Sequence, residues 1–180
     1  MGSKRWMALA AVVLGTTVGA VGVAAGAAHR STGATTITGG SVDQVRMVRS
    51  TTPFKTNGGT WKTIPGATAT VSVPAGHTAD ILARFNGGFS CTADDGNPSG
   101  TCSVRILIGG VEGQPATGTS LAIAQVLAGQ APGLITASVD RSRGPVGHGT
   151  YKVVVQERTS SPLIGVEFDS WHLTVERIGA

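Results

Sequence analysis

The stretch VEFDSWHLTV, residues 166–175, gives the clearest indication of the fold. Its apolar residues recur at alternate positions, first as a pair and then as a triplet: Val166 and Phe168, then Trp171, Leu173 and Val175. A period of two is typical of a strand with one face in the core. The pair and the triplet have opposite parity, so one extra residue, a β-bulge at Asp169–Ser170, would turn all five inward and His172 outward. The alternative is a strand whose two faces are both partly covered.

The same alternation recurs along the chain, in residues 69–73, 79–85, 104–108, 135–139 and 151–155. Turn-forming residues separate these runs: Pro74-Ala-Gly76, Asn86-Gly-Gly, Asn97-Pro-Ser-Gly100, Gly109-Gly110, Pro132-Gly133, Gly144-Pro145 and Ser161-Pro162. Short strands at this spacing predict an all-β protein, an antiparallel β-sandwich of the jelly-roll kind with about eight to ten short strands. Residues 120–128 have a composition that suits a helix or a strand, and their context favours a strand.

The N-terminal residues predict an export signal. Lys4 and Arg5 precede an apolar run that ends at Ala25-Gly-Ala27, which is the pattern of a secretory signal peptide over residues 1–27. A retained membrane anchor is the alternative. Residues 28–42 are small and polar and predict a flexible leader, and residues 43–180 then form a single β-sandwich domain.

Composition excludes several classes of protein. With 41% hydrophobic and 13% charged residues the chain is too apolar for a disordered protein, and its 27 glycines follow no collagen period. Removal of the signal would lower the formal charge from +4 to +2, because Lys4 and Arg5 would be lost. No run of basic residues would then remain, so nucleic acid is not expected as a partner, and neither is a membrane after cleavage.

Cys91 and Cys102 flank a segment rich in turn residues, with apolar strand runs on either side. This arrangement predicts a hairpin whose strand ends are tied by one disulfide, consistent with an exported protein. Within the same segment, Asp94, Asp95 and Asn97 could offer oxygen ligands to Ca²⁺, but their spacing does not match a calcium loop. We therefore interpret them as turn residues and assign no metal-binding residue.

The sequence contains no motif of a known catalytic or cofactor site, such as H-E-x-x-H, G-x-S-x-G or G-x-x-x-x-G-K-[ST]. No catalytic residue and no cofactor are therefore assigned, and the protein is not expected to be an enzyme. Four residues form the tentative binding surface: Trp61, Arg141, Arg143 and His148. Trp61 lies among small polar residues and could stack on a sugar, while the two arginines are predicted to form a basic loop. His148 lies in a glycine-rich loop.

The stretches WKTI (61–64), VPAG (73–76), ILARF (81–85), CSVRI (102–106) and FDSWHLTV (168–175) resemble a group of small exported proteins of actinobacteria. The likeness covers nearly all of residues 58–178, but the group has no established functional residues to carry over. The spacing of the predicted strands is similar to that of the C1q/TNF-like jelly rolls, and this resemblance implies a homotrimer.

These observations favour an exported, non-enzymatic binding or surface-structural module with an extracellular glycan or protein as its partner. The alternatives are a small secreted hydrolase or lyase and a membrane-anchored cell-surface protein. A hydrolase would be indicated by a cleft with two carboxylates, or by His148 or His172 beside a hydroxyl or a carboxylate.

Overall fold

The structure is a computed structural model that describes residues 40–93, 99–116, 122–127 and 133–179. In this part of the chain there are ten strands and no helix, which confirms the predicted all-β fold. The strands are β1 (Val42–Ser50), β2 (Phe54–Asn57), β3 (Lys62–Val73), β4 (Ala79–Ala93), β5 (Gly100–Ile108), β6 (Val111–Glu112), β7 (Ala122–Val126), β8 (Leu134–Val146), β9 (Gly149–Thr159) and β10 (Ile164–Gly179).

The strands form two antiparallel sheets that pack face to face. Sheet A has the order β1-β10-β4-β8, with β2 also paired to β10; sheet B has the order β3-β9-β5-β6, with β7 also paired to β5. The pairs β1–β10, β3–β9, β4–β8 and β5–β7 are nested within one another along the chain. Such a long hairpin folded across two sheets is the arrangement of a jelly roll.

The core lies between the inward faces of the two sheets. Alternation along each strand places apolar residues there, and three phenylalanines are among the largest fully buried side chains: Phe85, Phe89 and Phe168. The Phe168 ring lies 5.7 Å from that of Phe89 and 6.1 Å from that of Phe85, measured between ring centroids. With so few aromatic residues in the chain, this cluster fills much of the central volume.

The predicted β-bulge in the last strand is confirmed. The register of β10 against β4 shifts between Phe168 and Ser170. All five apolar residues of that stretch are buried, as one phase shift requires, and His172 is exposed on the outer face.

Two predicted turns are wrong. Asn86-Gly-Gly lies in the middle of β4, and Gly144-Pro145 lies near the end of β8. The reason is clear at Gly87, which is the Cα partner of Trp171. A Cβ on Gly87 would stand 3.1 Å from the Ser170 carbonyl oxygen. The absence of a side chain at Gly87 therefore allows β4 and β10 to approach closely at the bulge.

Cys91 and Cys102 form the predicted disulfide, with their Cα atoms 6.0 Å apart. Cys91 belongs to β4 of sheet A and Cys102 to β5 of sheet B. The bond therefore joins consecutive strands and, at the same time, the two sheets. A disulfide of this kind is typical of extracellular proteins.

Several predictions fall outside the described residues. They concern the signal peptide over 1–27, most of the leader over 28–42, the candidate calcium ligands at 94, 95 and 97, and parts of residues 120–128. Within the last stretch, Ala122–Val126 forms β7, in agreement with the strand interpretation. Among the residues that are described, none belongs to a helix able to cross a membrane.

Candidate functional site

A groove of about 420 Å³ crosses the outer face of sheet A at the bulge. It is lined by residues of β1, β4, β8 and β10 and by Thr51: Arg49, Ser50, Asn86, Gly87, Gly88, Leu134, Thr136, Asp169, Ser170, Trp171 and His172. Apart from Leu134 and Trp171, whose side chain is buried in the core, these residues are polar or glycine. The groove unites several polar side chains on a regular sheet surface.

Gly88 gives the groove its floor. It is the Cα partner of Ser170 and has the same outward parity as Asn86. A Cβ on Gly88 would meet only the Leu134 Cδ1 at 3.8 Å and the Ser170 Oγ at 4.0 Å, which are ordinary van der Waals distances. A larger side chain would fit the fold but occupy the groove, so the absence of one exposes bare backbone to a ligand.

Asn86 and His172 form one wall through a side-chain hydrogen bond. The Asn86 Nδ2 lies 3.1 Å from the His172 Nε2. Because an amide nitrogen donates, the His172 Nε2 is the acceptor of this bond. The bond fixes the Asn86 amide and the His172 imidazole on neighbouring strands, where their remaining polar atoms can hydrogen-bond a ligand.

Charges of both signs flank this pair. Arg49 is the Cα partner of His172 on the edge strand β1, and Asp169 lies at the bulge. Neither forms an ion pair with another described residue. The groove therefore offers a cation, an anion, an amide, an imidazole and hydroxyls, with the exposed side chain of Leu134 beside them.

The groove also brings together Asp169, Ser170 and His172. A histidine in one groove with a hydroxyl and a carboxylate meets part of the criterion for a hydrolase that the sequence analysis set. The three do not form a catalytic relay, because no hydrogen bond joins any two of them and the His172 Nε2 is bonded to Asn86. Among the described residues no group of three or more His, Cys, Asp or Glu side chains could hold a metal ion.

The four residues of the tentative binding surface do not lie together. Trp61 is half-buried on the outer face of sheet B, and His148 is exposed between β8 and β9. The predicted basic loop is wrong, because Arg141 and Arg143 belong to β8. Both share the inward parity of the residues opposite them on β4 and lie at the lateral edge of the sandwich.

The two arginines of β8 have structural contacts there. The Arg143 Nη1 donates to the Ile108 carbonyl at 2.6 Å and to the Gly109 carbonyl at 3.3 Å. Arg141 is 7% exposed. Burial lowers the pKa of its guanidinium, and the negative charges of Glu112 and Asp140 act in the opposite direction. These contacts of the two arginines close the edge between the sheets. The sequence alone had indicated a ligand-binding surface at the same two residues.

Sequence reasoning also missed a buried carboxylate. Glu157 is 1% exposed in β9, and neither of its carboxylate oxygens has a well-formed hydrogen bond. Burial raises its pKa to about 7, while the charge of Lys62 and the hydroxyl of Thr56 lower it by smaller amounts. Nearby, Thr159 Oγ1 accepts from the Gly58 amide at 3.1 Å, which holds the chain where it crosses between the sheets.

The groove itself was missed because Asn86-Gly-Gly has the composition of a turn. The signal that could have found it is the length of the alternating run: a strand from Ala79 that continues past the glycines would place Asn86 and Gly88 on one face.

No protein-family model matches the chain, and no curated protein matches it.

Proposed function

We propose that this chain is an exported, non-enzymatic β-sandwich module that binds an extracellular glycan in the groove on the outer face of sheet A. The observation that carries the proposal is the glycine floor beside the bonded Asn86–His172 pair. Sugar hydroxyls both donate and accept hydrogen bonds, and the groove supplies donors and acceptors of both kinds. A surface loop of another protein is the alternative ligand.

Two features support export. The Cys91–Cys102 disulfide is typical of an oxidising compartment, and residues 1–27 have the pattern of a cleavable signal. A protein anchored at the cell surface is the alternative to a released one. The intact mass of the protein recovered from culture medium distinguishes them, because cleavage after Ala27 removes the first 27 residues.

The binding proposal is tested by a screen against immobilised glycans and cell-surface proteins, followed by variants. Gly88→Val should place a side chain in the groove and abolish binding without unfolding the sheet. Thr174→Val is the matched control, because Thr174 lies on the outer face of the same sheet beyond the groove lining. Equal binding by both variants and the original protein would show that the groove is not the ligand site.

A secreted hydrolase is the second candidate, favoured by the presence of Asp169, Ser170 and His172 in one groove. It predicts turnover of an ester or glycoside that is lost in His172→Ala and kept in His148→Ala. Binding without turnover supports the binding module instead.

A further inference from the structure

The outer face of sheet B holds a second feature, on the side of the sandwich opposite the groove. Arg105 and Arg158 both lie over the Trp61 ring, with their guanidinium carbons 4.4 Å and 5.1 Å from its centroid. Trp61 comes directly before β3, and because Lys62 is the partner of Glu157, Trp61 lies next to Arg158 on this face. The indole therefore supports two guanidinium groups and is not a bare platform for a sugar.

Arg105 is held in a fixed orientation. Its Nε donates to the Gln156 Oε1 at 2.8 Å, and Gln156 is its Cα partner on β9. The two terminal nitrogens of Arg105 have no hydrogen-bond partner among the described residues. A guanidinium that is stacked on one face and bonded at Nε presents its remaining N–H groups in a fork that matches an oxyanion.

The strands that carry this face hold few carboxylates. Strands β3, β5 and β9 contain one, Glu157, which points into the core, and β6 adds Glu112, opposite Leu107, whose charge acts on Arg141. Lys152 extends the positive surface along β9, about 20 Å from Arg158 at the rise of an extended strand. A single small anion would reach only one end of this surface, whereas a polymer with regularly spaced anions would follow its length.

Hydroxyl side chains line the β3 side of this face, while Gln156 and Val154 lie between Arg158 and Lys152 on β9. Thr68, Thr70 and Ser72 share the outward parity of β3, and Thr150 lies opposite Ser72 with their hydroxyl oxygens 3.4 Å apart. Hydroxyl side chains suit the hydroxyl groups of a saccharide. The one aromatic ring of the patch is covered by arginines, which removes the stacking surface that single-stranded nucleic acid requires.

From this arrangement we infer that the outer face of sheet B binds an acidic polysaccharide, with the terminal N–H groups of Arg105 binding a carboxylate or sulfate group and Lys152 attracting a further one. The site lies on the opposite sheet from the glycan groove, so the two can be tested independently.

Binding of the purified protein to polygalacturonate, dextran sulfate, uncharged dextran and a single-stranded DNA is measured by titration calorimetry. Polygalacturonate and dextran sulfate distinguish a carboxylate from a sulfate ester, and binding to either supports the site. We expect binding that weakens as NaCl rises from about 50 to about 200 mM, because the contacts are ionic. No binding to either acidic polysaccharide, or equal binding of DNA, overturns the inference.

Variants locate the site. Arg105→Gln should weaken binding about tenfold or more, and Arg105→Lys should be intermediate, because it keeps the charge but loses the planar fork. Lys55→Gln is the matched control: it removes one exposed charge from sheet A and should leave affinity within about twofold. Equal losses from Arg105→Gln and Lys55→Gln would show that net charge alone drives binding. Unchanged thermal unfolding of each variant shows that the fold is intact.

Discussion

Gly87 lies directly opposite Trp171 in the pairing of β4 with β10, and a Cβ added to Gly87 would stand 3.3 Å from the Trp171 Cβ. Its neighbour Gly88 has no such constraint, since the nearest atoms would be 3.8 Å away. Two adjacent glycines in one strand thus have different roles. One allows the strands to approach at the bulge, and the other leaves space at the surface.

The first prediction follows from this difference. Gly87→Ala should lower the free energy of unfolding by roughly 1–3 kcal/mol, because the new methyl group forces the backbone of β10 away. Gly88→Ala should leave it unchanged or raise it slightly, since the substitution removes conformational entropy from the unfolded chain. Urea denaturation measures both. Equal destabilisation by the two variants would contradict the assignment.

The second prediction concerns Glu157. Its pKa is raised to about 7 in the folded protein, so the folded state binds a proton more tightly than the unfolded state. The contribution of Glu157 to the free energy of unfolding should therefore be greatest below the ordinary pKa of a glutamate and fall as the pH rises through about 7, by at most about 3 kcal/mol. Glu157→Gln should remove this decline and be more stable than the original protein at pH 8.

Glu167→Gln is the control for that measurement, because Glu167 is a partly exposed carboxylate whose nearest cation, Lys55, lies 4.0 Å away. Its denaturation curves should keep the decline with pH. A decline that persists in Glu157→Gln would assign the effect to other groups.

The third prediction concerns the disulfide between the sheets. Cys91→Ser combined with Cys102→Ser should lower the free energy of unfolding by about 3 kcal/mol, the value expected for a loop of this length in the chain-entropy model. Thermal unfolding with and without a reducing agent provides the comparison. The reduced original protein and the double variant should unfold at similar temperatures, and a variant as stable as the oxidised protein would refute the role of the bond.

The fourth prediction concerns Thr159, which is 1% exposed and whose hydroxyl lies 2.9 Å from the Gly58 carbonyl oxygen and 2.8 Å from the Ser161 carbonyl oxygen. Thr159→Val keeps the shape but leaves the Gly58 amide without its side-chain acceptor. We expect a loss of roughly 1–3 kcal/mol and faster hydrogen exchange at Gly58. Thr174→Val, on the exposed face of β10, should show neither effect.

The sequence was sufficient to predict seven of the ten described strands, because alternation is a local property, but it did not indicate β1, β2 or β6. The change of parity between Phe168 and Trp171 even located the bulge, since large aromatic side chains in an aromatic-poor domain must be buried. The Cys91–Cys102 bond followed from spacing and compartment in the same way.

Long-range contacts could not be predicted. A glycine pair looks the same in the sequence whether it forms a turn or lies opposite a bulge. The difference at Gly87 depends on its contact with Trp171, which lies far along the chain. Similarly, alternation from Val139 would turn Arg141 inward, but charged residues are seldom buried without a partner. The carbonyl groups that accept from Arg143 belong to Ile108 and Gly109, which lie in and directly after β5 of the other sheet, so the local sequence favoured a loop.

Strand β10 pairs with β1, β2 and β4 of sheet A, and it is the last of the ten described strands. Without these sixteen residues, neither β1 nor β2 has a partner within sheet A, so that sheet cannot be completed. Because β1 and β10 lie at opposite ends of the described chain, their pairing is a contact of high sequence separation, which is slow to form during folding. A truncation that removes β10 should therefore leave an unfolded polypeptide that proteases degrade.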